Sequence, residues 1–435
     1  MNKVEPKTLP GFMELLPGDQ ILFNQMYDKI RKVYEKFGFL PLDTPTIEYS
    51  EVLLAKAGGE TEKQIYRFNK GDNDLSLRFD LTVPLARYVA EHYNDLAFPF
   101  KRYQMSKVFR GERPQKGRFR EFYQCDIDVI GNETLSIIYD AEIPAIIYEL
   151  FKELDFGPFI IRINNRKILN GFFKSLDLSE NASDILRIID KIDKIGIDEV
   201  KEILIDMDID KDKVDKILAF ISINGTNEEI INSLKELNIN DEVFNEGLDE
   251  IEKVVNYIKD FCIDEKYYKI DLTIARGLDY YTGTVYETNL VDYPNLGSVC
   301  SGGRYDNLTG YYTSQNLPGI GISIGLTRLF SQLLSEGIIT SDQKCMLDAL
   351  IIPFDDSNIG YTLKVANSLR DNGKIIDVYY DNKGLKAKMK YANRLGVSKV
   401  IVIGSDEIEN NSVTLKNMET GEQELVSLDK IASKI

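Results

Sequence analysis

The sequence contains no tryptophan and a single histidine, His92. One imidazole speaks against a histidine-rich metal centre or a histidine-based triad as the source of any chemistry. Four cysteines (Cys125, Cys262, Cys300, Cys345) are widely spaced and form no CxxC pair. That pattern reads as reduced thiols, not as a disulfide framework or zinc ligands. No apolar run approaches the roughly 18–20 residues that a membrane-spanning helix needs. The opening stretch MNKVEPKTLPGF has neither an apolar core nor a small-residue cleavage pattern. Neither a membrane nor a secretion signal is therefore expected, and the cytoplasm is. Net positive charge is missing too. The formal net charge is −17, which argues against non-specific coating of nucleic acid.

What is present is a chain of 435 residues, enough for roughly two to four domains with ample core. Charge is unevenly spread. Between Lys101 and Arg120 stand eight Lys or Arg against Glu112 alone. An acidic body with one basic strip can bind a polyanion there and repel it elsewhere. The strip lies on two strand-like runs, 102–110 and 119–130, joined by a short basic loop. Side chains alternate along a strand, so Arg120, Phe122, Gln124, Asp126 and Asp128 share one face. The other face is mostly apolar. Two readings stay open at this level. Arginines opposite aspartates can simply pair, or the mixture can form the floor of a small-molecule site.

Elsewhere the pattern predicts a helix over Asp19–Phe37, N-capped by Asp19 and ended by Gly38. Residues 40–50, with Pro45, read as extended. Residues 64–68 and 75–82 read as a hairpin, its second arm carrying Ser76, Arg78, Asp80 and Thr82 on its polar face. A helix from Pro84 to Tyr93, another over 133–155 and a strand over 159–165 follow. From about Gly171 to Lys266 the texture becomes helical, as in a module inserted between strands of one sheet. Strands return at 269–276 and 282–290, then a Gly-rich turn at 297–310 and a Gly-rich strand leading into a helix at 318–330. The glycine spacing fits no phosphate-loop pattern. Residues 346–435 alternate strands with helices 359–371 and 384–395, which implies a parallel sheet. The second of these helices offers Lys386, Lys388, Lys390 and Arg394 as a second RNA-facing surface.

Several of these stretches carry a family resemblance. FRGERPQKGRFREFYQCDID (109–128) resembles motif 2 of class II aminoacyl-tRNA synthetases, in the form used by histidyl-tRNA synthetases. Pro45 lies where motif 1 is expected, and GIGISIGLTRL (319–329) resembles motif 3, with Arg328. IARGLDYYTGTVYE (274–287) and CSGGRYDNL (300–308) resemble the two segments specific to the histidyl family. The match runs from residue 10 to the end.

The resemblance implies an α+β catalytic domain on an antiparallel class II sheet of about six or seven strands. It also implies a helical insertion, a C-terminal α/β anticodon-binding domain and a homodimer. The expected boundaries are 1–170 and 267–336 for the catalytic core, 171–266 for the insertion and 346–435 for the anticodon-binding domain. The implied reaction joins histidine to its tRNA through histidyl-adenylate, with ATP as substrate and magnesium on the outgoing pyrophosphate. Carried over residue by residue, Asp80 and Thr82 with Gln124 would hold the α-amino group, and Leu81 between them would also belong to the histidine site. Asp128 and Tyr281 would bracket the imidazole, with Tyr280 and Tyr305 beside them. Phe122 would stack on adenine with Arg328 on the other face, and Arg118 would lie near the distal phosphates. Arg110 would reach the α-phosphate and the histidine carboxylate, and Arg276 would carry the rate. In the loop, Arg113, Gln115 and Lys116 would meet the tRNA acceptor stem, with Gln115 as the specificity candidate.

Two departures stand out. Thr327 occupies a motif 3 position where many family members have glutamate, and PGFMELLP lacks the usual N-terminal pattern. The alternative is a noncatalytic paralogue, the histidine-sensing regulatory subunit of ATP phosphoribosyltransferase. It generally lacks the anticodon-binding domain and has degraded arginines in the RGLDYY region, whereas residues 346–435 and Arg276 are present here.

Overall fold

The computed structural model describes residues 3–55, 60–113, 117–189, 192–274, 281–306 and 308–435. The chain divides into two compact units, residues 1–13 with 27–338 and residues 14–26 with 339–435.

The largest described sheet of the first unit has eight strands. Their order across the sheet is β1 (Leu40–Pro41), β5 (Phe100–Phe109), β6 (Glu121–Ile130), β11 (Gly319–Gly325), β10 (Ser298–Tyr305), β9 (Thr284–Leu290), β7 (Phe159–Asn165) and β8 (Tyr268–Ile270). The six central strands pair antiparallel. At the edges β1 joins β5 and β8 joins β7 in parallel. The antiparallel expectation thus holds for the centre and not for the edges. Both edge strands reach the sheet through long crossovers, and a hairpin turn would have forced the opposite direction.

The helix Pro17–Lys36 starts two residues earlier than expected, so Asp19 sits in its first turn and not at its cap. Its stop is as predicted. Gly38 adopts φ +79° and its N–H donates to the Glu35 carbonyl at 3.0 Å. Tyr34 is fully buried and donates its hydroxyl to the Cys125 carbonyl at 3.0 Å, which fastens the helix to β6. The helix Ile138–Leu154 is fastened through Asp140, which receives the buried Arg304 guanidinium of β10 at 2.5–3.1 Å.

A separate three-stranded sheet orders β2 (Ile47–Tyr49), β4 (Asn73–Leu77) and β3 (Arg67–Lys70). Here the sequence reading needs correction. The predicted second arm, 75–82, ends as a strand at Leu77, and Thr82 is already the first residue of the helix Thr82–Glu91. Asp80 is the cause. Its Oδ1 accepts the backbone N–H groups of Thr82 at 3.1 Å and Val83 at 2.9 Å, satisfying donors at a helix start. The apolar–polar alternation runs on past the strand, but the local cap overrides it.

Beyond β7 come the helices Arg166–Ser175, Ala182–Ile189, Ile197–Asp206, Lys211–Ile221, Asn227–Glu236 and Glu242–Asp260. Four of these starts are capped by side chains, those of Asn165, Asp210, Thr226 and Asp241, with a capping box between Thr226 and Glu229. The first and last of them approach closely through Gly171 and Gly247. A Cβ at Gly247 would lie 2.8 Å from the Ile168 nitrogen.

The second unit orders its strands β13 (Ile376–Val378), β12 (Ala349–Pro353), β14 (Lys399–Ile403), β15 (Ser412–Asn417) and β16 (Gln423–Ser427). The first three are parallel, as strand–helix alternation requires, and β15–β16 is the predicted closing hairpin. The helices Ile359–Asp371 and Leu385–Leu395 lie close to their expected spans. One expected RNA-facing cation is misplaced. Lys388 is 1% exposed, and its Nζ donates to the Pro353 carbonyl at 2.8 Å beneath the Tyr379 ring. It braces the core, whereas Lys386, Lys390 and Arg394 are exposed.

Candidate active site

Four neighbouring strands build a polar floor. Register pairs Arg102 of β5 with Asp128 of β6, Gln104 with Asp126, and Ser106 with Gln124. On the other side of β6, Gly321, Ser323 and Gly325 of β11 oppose Asp128, Asp126 and Gln124. Gly303 of β10 lies opposite Gly321. The glycines remove side chains where the floor must stay low. A Cβ at Gly321 would collide with Asp128 Oδ1, and one at Gly303 would lie 3.0 Å from the Tyr281 ring.

Above this floor is a cleft of about 490 Å³. Asp80, Thr82, Arg110, Arg118, Phe122, Gln124, Asp128, Tyr281, Tyr305 and Arg328, all proposed from sequence, line it together. Leu81 does not. It is fully buried, and its carbonyl accepts from Arg102 Nη2 at 3.1 Å. Arg113 is exposed on the loop side and does not line the cleft either. Gln115, Lys116, Arg276 and Tyr280 lie outside the described residues.

The carboxylates are held differently. Asp80 spends Oδ1 on its helix cap, and burial raises its pKa, opposed by those same N–H groups and by Arg110. Asp128 takes Arg102 Nη2 at 2.6 Å on Oδ2 and the Tyr305 hydroxyl at 2.8 Å on Oδ1. Burial still raises its carboxyl to about 6, with the Arg102 charge pulling the other way. Gln124 donates its amide to Ser323 Oγ at 2.7 Å, and its Oε1 has no partner among the described residues.

The aromatic and cationic end is equally specific. The Arg110 guanidinium lies 4.4 Å from the Phe79 ring centroid and 5.1 Å from that of Phe122, and its Nε donates to the Phe79 carbonyl at 3.2 Å. Arg328, in the first turn of the helix Leu326–Ser335, donates to the Leu296 carbonyl at 3.3 Å. Arg118 is more exposed and pairs with Glu112 at 3.2 Å. Thr327 is explained by packing. It is buried, and its Oγ1 accepts the Tyr123 N–H at 2.8 Å. Arg120 points away from the shared face, donating to the Glu112 carbonyl at 2.9 Å.

Sequence reasoning missed Arg102. The pairing of arginine opposite aspartate is realised by Arg102 and Asp128, with Asp128 lining the cleft and Arg102 fully buried behind it. The signal was available only as strand register, which the sequence does not state. Asp126, left without a role, also lines the cleft.

The family profile described as Histidyl-tRNA synthetase matches residues 11–329, and that described as Anticodon binding domain matches residues 348–435. The chain is 63% identical over 428 residues to the Histidine--tRNA ligase of Clostridium tetani, spanning 98% of this chain and 97% of that one. It is 50% identical over 435 residues to the Histidine--tRNA ligase of Finegoldia magna, spanning 99% and 100%. The solved histidyl-tRNA synthetase from Nostoc sp. PCC 7120 superposes with a TM-score of 0.90 at 42% identity, over 99% of each chain.

Proposed function

We infer, from the premise that the chain belongs to the histidyl-tRNA synthetase family and is a histidine–tRNA ligase, that the cleft over β6 is where histidine is activated. The observation that carries this reading is the convergence of Asp80, Thr82, Gln124, Asp128 and Tyr281 with Arg110, Phe122 and Arg328 in one cleft. The polar floor would take histidine, and the arginine–phenyl end would take ATP. Buried polar groups discriminate well, because an analogue without matching donors leaves them unpaired.

In the first step the histidine carboxylate attacks the α-phosphorus, the bond to the β-phosphate breaks, and pyrophosphate leaves. Arg110 and Arg276 would stabilise the charge that builds on the nonbridging oxygens. In the second step the terminal tRNA hydroxyl attacks the adenylate carbonyl and AMP leaves. Glu112 and Glu287, carboxylates lining the cleft, suit a magnesium ion arriving with ATP. Bound, it would neutralise the outgoing pyrophosphate. The purified protein should exchange pyrophosphate into ATP only with histidine present, and then charge histidine tRNA. Absence of exchange by the folded protein would turn the reading toward the histidine-sensing alternative. The match of residues 348–435 to an anticodon-binding domain already weighs against that alternative.

Finer assignments extend this reading. The core is taken as 1–170 and 267–336, the insertion as 171–266 and the anticodon-binding domain as 346–435. Arg113, Gln115 and Lys116 would meet the acceptor stem. A homodimer is supported by Leu40, Ile47 and Tyr49, large apolar side chains left 47–58% exposed around the motif 1 proline. Among the described residues no helix is long and apolar enough to cross a membrane, and a partner of tRNA would work in the cytoplasm.

For the anticodon, two aromatics stand out. Phe354 and Tyr380 are 56% and 60% exposed just past the carboxyl ends of β12 and β13, the edge where open α/β sheets bind ligands. Stacking contributes about 1–3 kcal/mol per base. The double variant Phe354→Ala/Tyr380→Ala should raise the tRNA KM in aminoacylation by about 10- to 100-fold. Histidine-dependent exchange should stay at the wild-type level, and an unchanged tRNA KM would remove the stacking assignment.

A further inference from the structure

One buried acceptor in the cleft has no task in the scheme above. Asp126 sits at the centre of the floor, 2% exposed, and lines the cleft. Its Oδ1 has no hydrogen-bond partner among the described residues. The donors around it do not close the gap, although Arg102 keeps Nε and Nη1 without partners among the described residues. Gln104, directly opposite on β5, gives its amide to Asp43 Oδ1 at 2.9 Å and Thr44 Oγ1 at 3.1 Å. Arg102 gives Nη2 to Asp128 and to the Leu81 carbonyl. On β11, the Ser323 oxygen accepts the Gln124 amide, and its own hydroxyl turns to the Asp126 carboxyl, yet Oδ1 stays without a partner.

A carboxylate left open inside a protein is costly unless something donates to it. When it also lines a cavity, a ligand donor is the natural partner. Spacing agrees. Gln124 and Asp126 are two residues apart on one strand face, about 6.5–7 Å, and both carry an open acceptor oxygen. Histidine carries N–H donors at two ends, the ammonium and the ring. Each Asp128 oxygen already accepts one hydrogen bond, from Arg102 and from Tyr305, whereas Asp126 Oδ1 accepts none among the described residues. Burial keeps the Asp126 carboxyl up at about 7, with the Arg102 charge and the Ser323 hydroxyl pulling it down.

We propose that Asp126 is a further histidine-binding residue, its open Oδ1 accepting a hydrogen bond from a ring N–H of the substrate. Asp128, clamped by Arg102 and Tyr305, acts beside it as the positioned wall of the ring site. This rests on the cleft being the histidine site.

The test is the isosteric Asp126→Asn, measured in histidine-dependent ATP–pyrophosphate exchange beside Gln124→Ala. The expected result is a histidine KM raised by about tenfold or more, with the ATP KM at the wild-type value. Asp126→Ser serves if the asparagine variant does not fold. A histidine KM within about threefold of wild type, while Gln124→Ala raises it, overturns the Asp126 assignment alone. If neither variant moves it, the placement of histidine in this cleft falls as well. A loss of heat stability with both KM values unchanged would mark Asp126 as structural and overturn the proposal.

Discussion

Arg110→Ala should lower the rate of histidine-dependent ATP–pyrophosphate exchange by about 10²–10³-fold, a loss of roughly 3–4 kcal/mol of transition-state stabilisation. The reason lies in how the side chain is aimed. Two phenyl rings, Phe79 and Phe122, flank the guanidinium, and the Phe79 carbonyl holds its Nε. A group fixed in this way meets developing charge without having to reorganise. Arg110→Lys keeps the charge but loses the planar fork and the stack, so most of the deficit should remain. Both variants should unfold near the wild-type temperature, because the guanidinium faces the cleft and not the core. Exchange rates at saturating histidine and ATP decide the matter. A loss smaller than about fivefold in Arg110→Ala would place the phosphate contact elsewhere.

The second large effect is on stability. Arg102→Met should cost about 3–5 kcal/mol at pH 8, the usual result of stranding a buried charge. Arg102 is fully buried and bonded to Asp128 at 2.6 Å, with Asp126 close enough to feel its charge. The deficit should depend on pH in a definite direction. Burial already raises Asp126 to about 7 and Asp128 to about 6, against ordinary unfolded carboxyls near 4. The native state therefore binds protons more readily than the unfolded chain. That contribution is fully favourable below about pH 4 and is lost as pH rises through about 6–7. Without Arg102 both carboxyls move further up, so the variant's deficit should be greatest at pH 8 and shrink toward pH 5. Urea unfolding followed by circular dichroism at the two pH values checks this, and a deficit that stays constant or grows on acidification would rule out stranded carboxylates as the cause.

How much of this was legible beforehand differs residue by residue. The β6 face carrying Phe122, Gln124, Asp126 and Asp128 follows from period-two alternation, and the structure keeps it. The strand–helix order of the second unit was equally open to reading, because buried parallel strands are continuous apolar runs. Asp80 and Thr82 line the cleft, but not for the local reason that alternation implied. Alternation implied a strand face, while a carboxylate cap placed them at a helix start. Lys388 looked like a surface cation because sequence spacing does not reveal which turn of a helix faces a carbonyl. Arg102 was hidden most completely, since its partner lies across a register set by the whole hairpin. Edge strands such as β8 were hard to place for a similar reason, their neighbours being distant in the chain.

The low floor at Gly321 and Gly325 also bears on how such a site can change over generations. Its roominess comes from side chains that are absent, so there is nothing left there to trim. Mutation can only add bulk at these positions, and at Gly321 the first added carbon meets Asp128. Drift along this part of the wall is therefore one-way, toward a smaller or blocked cavity. A variant accepting a larger amino acid would have to find its space elsewhere.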